Sequence, residues 1–265
     1  MILKSLGYRT DLFFPRFDGE VMDRGDYIVI RTPSNPSFYW GNFLLFAAPP
    51  AEGDFDRWRA LFAKEIGASP IVNHMAFGWD GTAGETGEIA PFLEAGFTLE
   101  DSVVLTARVI VRPAKYNEEV VVRPLAEDWE WEAALQNKIA CRDPKHEEAG
   151  WRVYATRQME RRHAMARAGW GNWFGAFLAG RLVGDLGLFV RDGVGRFQAV
   201  GAHPEFRRIG VCGALVYEAA EYALANMGAE VLVMVADAHY HAARIYEGVG
   251  FLPVERQMGV TWWRS

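Results

Sequence analysis

The stretch Ala199-Val-Gly-Ala-His-Pro-Glu-Phe-Arg-Arg-Ile-Gly-Val-Cys-Gly-Ala-Leu215 decides how the rest of the chain is read. It predicts a strand that stops at Pro204, a short basic turn, and a helix from Gly210 to about Met227. Val211, Leu215, Ala219, Tyr222 and Leu224 recur at helical spacing and give that helix an apolar face. Arg207 and Arg208 stand just before its N-terminus, and Gly210, Cys212, Gly213 and Ala214 keep the first turn small. A helix N-terminus presents unpaired N–H groups and about half a positive charge, so it favours an anion. Small residues let a phosphate approach the backbone, and arginine adds charge-assisted hydrogen bonds. The stretch is built like a diphosphate cradle.

The bounds of the chain agree with a globular protein that handles a small molecule. Its 265 residues suffice for one large domain or two small ones, and half of them are apolar. A formal charge of −6 argues against a nucleic-acid partner, which calls for a basic excess. Cys141 and Cys212 lie far apart in unlike contexts, giving neither a disulfide framework nor a metal pattern. Charges interrupt the apolar run at the N-terminus, so it does not read as a signal peptide. No uncharged stretch approaches the roughly 18 residues that span a bilayer. The expectation is a soluble, cytoplasmic protein with no membrane and no metal.

Residues 1 to about 115 alternate strands and helices. Strands are predicted at Asp26–Arg31, Tyr39–Phe46, His74–Trp79 and Phe97–Val109. Helices are predicted at Asp54–Ile66, with Asp54 as its cap, and at Glu88–Ala95. The polar, proline-bearing run Arg112–Glu119 marks a boundary. Domains are expected at 1–115 and 116–265. The second part opens with a strand at Val120–Leu125, followed by helices at Glu127–Lys138 and Trp151–Ala168. A hairpin of Trp173–Leu178 and Arg181–Val190 turns at Ala179-Gly180, and Arg196–Ala202 leads into the cradle. Beyond the cradle helix come a strand at Glu230–Ala236, a short helix at His241–Glu247, and strands at Phe251–Met258 and Val260–Trp263.

Two motifs in this frame carry a resemblance. Arg207-x-x-Gly210-x-Cys212 resembles the Arg/Gln-x-x-Gly-x-Gly/Ala pyrophosphate motif of the GNAT (GCN5-related) acetyltransferases, with Cys212 departing at the last small position. Ala242-Ala-Arg-Ile-Tyr-Glu-Gly-Val-Gly-Phe251 resembles the family's Asn-x-x-Ala-x-x-Leu-Tyr-Glu-x-x-Gly-Phe segment. The order of elements over 120–265 is also the family's. The resemblance implies an α/β (α+β) fold with a mixed central sheet. Ala90–Phe97 echoes Ala242–Phe251, so the first part reads as a second, smaller, degenerate GNAT-like lobe of a tandem protein; an unrelated α/β lobe is the alternative. No cradle motif precedes residue 115.

The same resemblance implies acetyl-CoA as co-substrate and direct transfer of the acetyl group to an acceptor amine, without an acyl-enzyme. The backbone of Val200, Gly201 and Ala202 would pair with the pantetheine arm, and Gly201 suits close approach. Arg207 and Arg208, with the N–H groups of Ile209, Gly210, Val211, Cys212 and Gly213, would hold the diphosphate. Cys212 reads as a packing residue rather than a nucleophile. Tyr246 occupies the position of the family's acid for the leaving thiolate, or else is core. His239 stands where the family has asparagine, as a cofactor contact or a structural histidine. The strand before the cradle carries no acid, so the base is Asp185, set in an apolar run on the neighbouring strand, or a water chain. His203 reads as a cap of the strand end.

The arginine-rich run Arg157–Arg167 reads as a solvated helix face. Trp151, Tyr154, Trp170 and Trp173 would shape the acceptor pocket or fill core. The acceptor is a small-molecule or peptide amine, such as an amino-sugar, a polyamine or a protein amine, and a homodimer is compatible. A non-catalytic CoA-binding sensor or scaffold module is the alternative.

Overall fold

The computed structural model describes residues 1–36, 38–67, 72–144, 146–239 and 242–263. Its elements in chain order begin with α1 (Leu6–Asp11), α2 (Pro15–Asp18), β1 (Glu20–Asp23) and β2 (Tyr27–Arg31). They continue with β3 (Phe43–Phe46), α3 (Asp54–Glu65), β4 (His74–Trp79), α4 (Ala90–Glu94) and β5 (Thr98–Ala107). Next come β6 (Val120–Pro124), α5 (Asp128–Ala140), α6 (Glu148–Arg167), β7 (Gly171–Leu178) and β8 (Arg181–Arg191). The last are β9 (Val194–Ala202), α7 (Val211–Asn226), β10 (Val231–Asp237), α8 (Ala242–Glu247) and β11 (Leu252–Trp263). The chain divides into two compact units: Met1–Val104 with Ala236–His239 and Val254–Ser265, and Leu105–Val235 with Tyr240–Pro253.

In the first unit β1, β2 and β3 are antiparallel neighbours, β3 and β4 run parallel, and β4 pairs antiparallel with Met258–Trp263 of β11. Alternate residues of β2, β3 and β4 meet α3 and α4 in an aromatic core of Phe46, Trp58, Phe62, Phe77, Trp79 and Phe92. Phe46 and Trp58 stack with centroids 3.8 Å apart. In the second unit β6, β7, β8 and β9 are successive antiparallel neighbours, and β10 joins β9 in parallel. Helices α5 and α6 pack together on β7 and β8, while α7 lies against β6 to β9.

Several expectations shift. Tyr39–Gly41 is a 3-10 turn rather than strand, because Asn42 hooks its side-chain amide onto the carbonyls of Asn35 and Phe38. The cap of α3 is Gly53 at φ 84°; Asp54 lies inside the helix, where it pairs with Arg57. The two closing strands are one, running through Gly259. That position is glycine because an added Cβ would lie 2.6 Å from the Trp40 ring and 2.8 Å from the Phe77 carbonyl. The predicted helix start at His241 falls outside the described residues. The arginine run is a solvated face only in part: Arg157 and Arg167 are exposed, but Arg161 and Arg162 are buried, and the Arg162 guanidinium lies over Phe189 and reaches the Gln198 side chain at 3.3 Å.

Candidate active site

The parallel pairing of β9 with β10 covers three positions, Val194 with Val231, Gly195 with Leu232 and Arg196 with Val233. Beyond Arg196 the two strands part. On its other edge β9 stays with β8, but the register slips between Asp185 and Gly187, so that Gly187 faces Gln198 while Asp185 faces Gly201. The extra residue is absorbed at Ala199, whose φ of 49° is left-handed and unusual for a residue with a side chain. This is a β-bulge, and it sets Val200 and Gly201 half-exposed on an edge free of β10. Backbone groups on such an edge are available to an extended guest.

At the end of β9 the His203 backbone N–H still bonds Val183, 2.9 Å. His203 then caps the short 3-10 turn Pro204–Phe206 by accepting from the Glu205 N–H. Arg207 turns back, its Nε 3.3 Å from the Ala202 carbonyl. Arg208 and Gly210 are both left-handed, φ 66° and 87°, and Gly210 is the N-cap of α7 with no side chain to satisfy the first-turn N–H groups. Those groups remain available to an anion. Chain packing is a second reason for the glycines: an added Cβ would come within 3.1 Å of the Lys115 carbonyl at Gly210, and 3.2 Å at Gly213. Asn117 ties the same segment down by donating its amide to the Ile209 carbonyl, 2.9 Å.

The two cysteines, unrelated in sequence, converge here. Cys141, at the C-cap of α5, sets its Sγ 3.4 Å from the Ala202 carbonyl. Burial raises both thiols, Cys212 to about 11, so neither is a thiolate at neutral pH and Cys212 serves as packing.

Asp185 faces away from α7. Its neighbour Gly184 abuts α7, where an added Cβ would lie 3.0 Å from Val211, so the next side chain points to the α5 and α6 side. Gly201 opposite it shares that side, and an added Cβ there would meet nothing nearer than Cys141 Sγ at 3.7 Å. The carboxyl thus borders open room at the bulge. It is 3% exposed and its Oδ2 accepts no hydrogen bond. Burial pushes it up to about 7, with Lys138, Asn137 and Trp173 pulling the other way. Lys138 acts on the carboxyl by its charge, and the side chains of Asn137 and Trp173 act on it as hydrogen-bond donors.

Lys138 is the residue that sequence reading missed. It is partly exposed, with its Nζ 5.8 Å from the Trp151 ring centre and 5.7 Å from that of Tyr154. Burial depresses its pKa, while Asp185 works to raise it. A signal existed: Lys138 stands seven residues after Trp131 and four after Ala134, on the packed face of α5. Tyr246 is buried in α8, its carbonyl held by the Val249 and Phe251 N–H groups at 3.0 and 3.1 Å. His239 belongs to the first unit, where its exposed ring lies 3.3 Å from Asp101.

The second unit therefore brings together Asp185, the edge Val200–Ala202 and the turn Arg207–Gly213. Residues 127–251 match the family model described as Acetyltransferase (GNAT) family. Among solved structures, the chain is similar to a functionally unknown conserved protein from Staphylococcus epidermidis ATCC 12228, at 15% identity and TM-score 0.73, over 94% of this chain and 95% of that one. It is similar to a GCN5-related N-acetyltransferase from Kribbella flavida, at 15% identity and TM-score 0.67, over 97% and 96%. A tandem GNAT protein from the clavulanic acid biosynthesis pathway matches at 15% identity and TM-score 0.52, over 89% and 82%. At these identities the likeness is one of fold. No curated protein matches the sequence. No helix among the described residues is long and apolar enough to cross a membrane.

Proposed function

Residues 127–251 belong to the GNAT acetyltransferase family, which uses acyl-CoA, and from that premise we propose that the chain transfers an acetyl group from acetyl-CoA to an acceptor amine by direct attack. The observation that carries the reading is the bulge: a strand edge freed from β10 lies opposite the buried carboxyl of Asp185. The residues present fit the co-substrate. The uncapped first turn of α7 and the flanking Arg207 and Arg208 would take the diphosphate, and the edge Val200–Ala202 would pair with the pantetheine amides.

Each residue has one task. A backbone N–H at the bulge polarises the thioester carbonyl, as an oxyanion donor does. Asp185 accepts the proton that the acceptor nitrogen loses on attack, a role suited to a group titrating near the working pH. Tyr246 returns a proton to the departing sulfur. The nitrogen–carbon bond forms, the carbon–sulfur bond breaks, and the products are the amide and free CoA. The first part of the chain, 1–115, is a cofactor-silent GNAT-like lobe, since no arginine-and-glycine cradle occurs in it.

The test is acetyl transfer with an amine panel. Wild type turns over, Asp185→Asn falls about 10²–10⁴-fold at neutral pH, and acetyl-CoA affinity is unchanged. Binding without transfer to any amine would instead support a CoA-binding module.

A further inference from the structure

The polar run Arg112–Glu119, just before β6, lies along the start of α7 as a strap. An added Cβ at Gly213 would lie 3.2 Å from both Pro113 Cγ and the Lys115 carbonyl, and one at Gly210 would lie 3.1 Å from the Asn117 nitrogen. Tyr116 donates its hydroxyl to Glu218, about two turns beyond Gly210, at 2.5 Å, and sets its ring edge-on to Tyr217. The Arg112 guanidinium lies 3.9 Å over the Tyr116 ring and pairs with Glu118. Asn117 joins the strap to the turn that precedes α7. Its Oδ1 accepts from the Glu119 N–H at 3.0 Å, and its Nδ2 donates to the Ile209 carbonyl at 2.9 Å. The two bonds together fix which end of the amide faces the turn.

Ile209 stands between two left-handed residues, Arg208 at φ 66° and Gly210 at φ 87°. Backbone of that kind persists only where its surroundings over-determine it. The Ile209 carbonyl shares a planar trans peptide with the Gly210 N–H, so the two point in opposite directions. Holding the carbonyl on the strap therefore turns the Gly210 N–H away from the strap, to the side from which an anion can approach. Without that hold, glycine at 210 leaves the peptide free to rotate.

We infer that Asn117 is a positioning residue for the diphosphate of the coenzyme, and that the strap is part of the coenzyme site. Asn117 keeps the Ile209–Gly210 peptide in the orientation that donates outward. This inference rests on the acyl-transfer reading above and deepens it, adding to the turn a residue some ninety positions upstream that touches no ligand itself.

The test is calorimetric titration of CoA into wild type, Asn117→Ser and Tyr116→Phe, at a temperature where melting curves show all three folded. A serine hydroxyl can still accept from the Glu119 N–H but is too short to reach Ile209. Phenylalanine removes the strap's bond to Glu218 and leaves Asn117 in place. Asn117→Ser should bind CoA about fivefold or more weakly, as the loss of one hydrogen bond allows. Its amides over residues 207–213 should also exchange hydrogen faster than those of the wild type in the absence of ligand. Tyr116→Phe should bind CoA as the wild type does. The inference is overturned if Asn117→Ser keeps the wild-type affinity, or if Tyr116→Phe loses as much, since the strap would then act through stability alone. Wild type that binds CoA equally with Asn117→Ser leaves the acyl-transfer reading standing. Wild type that binds no CoA overturns that reading and this inference with it.

Discussion

Replacing Asp185 by asparagine should make the protein more resistant to unfolding as pH rises, while it abolishes most of the activity. The carboxyl titrates near about 7 in the folded chain and near about 3.9 in an unfolded one. Below about 3.9 both states hold the proton and nothing is lost. Between the two values the unfolded chain releases it and the folded one does not, so stability falls with rising pH. Above about 7 the full penalty is present, roughly 4 kcal/mol for a gap of about three pH units. About 2.7 kcal/mol of it develops between pH 5 and pH 8. Asparagine has the same shape and no titration, so any constant offset from its amide cancels in the pH dependence. Urea unfolding followed by tryptophan fluorescence at pH 5, 6, 7 and 8 gives the difference between variant and wild type. That difference should grow by about 2–3 kcal/mol across the range. A flat difference would refute the assignment of Asp185 as a buried carboxyl with a raised pKa, and with it the proposed base.

Activity should move oppositely to stability, since a base must be ionised: kcat/KM rises with pH through about 7, and that inflection disappears in Asp185→Asn. Tyr246→Phe should lower the transfer rate with acetyl-CoA affinity unchanged; equal rates across the pH range would remove Tyr246 from the mechanism. Glu130 is buried, accepts from the Ala126 and Glu127 N–H groups and pairs with Arg123, which holds its carboxyl near about 2. Glu130→Gln should therefore cost about 2–3 kcal/mol at neutral pH, a cost that fades in urea titrations as pH falls from about 4.3 towards 2. Gly210→Ala places a Cβ on a left-handed backbone 3.1 Å from the Lys115 carbonyl, and should cost about 1–3 kcal/mol and lower the melting temperature by several degrees.

Much of the second unit could be read from sequence because its signals are local. Pro204, the arginine pair and Gly210 mark a strand, a turn and a helix start within a dozen residues, and the structure forms all three. Asp185 was legible as an acid in an apolar run. What escaped depends on distant partners. The first helix has its N-terminal N–H groups held by Asp80 and Glu255, the Ser5 N–H donating to Asp80 and the Leu6 N–H to Glu255, both at 2.8 Å. Nothing near residues 5 or 6 announces those contacts. The bulge at Ala199 has no glycine at the left-handed position to betray it. Lys138 was hidden by its residue type, since a lysine is assigned to solvent before its helical spacing is weighed. Arg161 and Arg162 were misplaced for the same reason.

In the proposed function, acetyl-CoA binds at a single cradle, at the N-terminus of α7. Calorimetric titration of acetyl-CoA into the wild type and into the Arg207→Ala/Gly210→Glu double variant tests it most directly. The wild type should bind one acetyl-CoA per chain and the variant none. Two sites, or binding that survives in the variant, would contradict it.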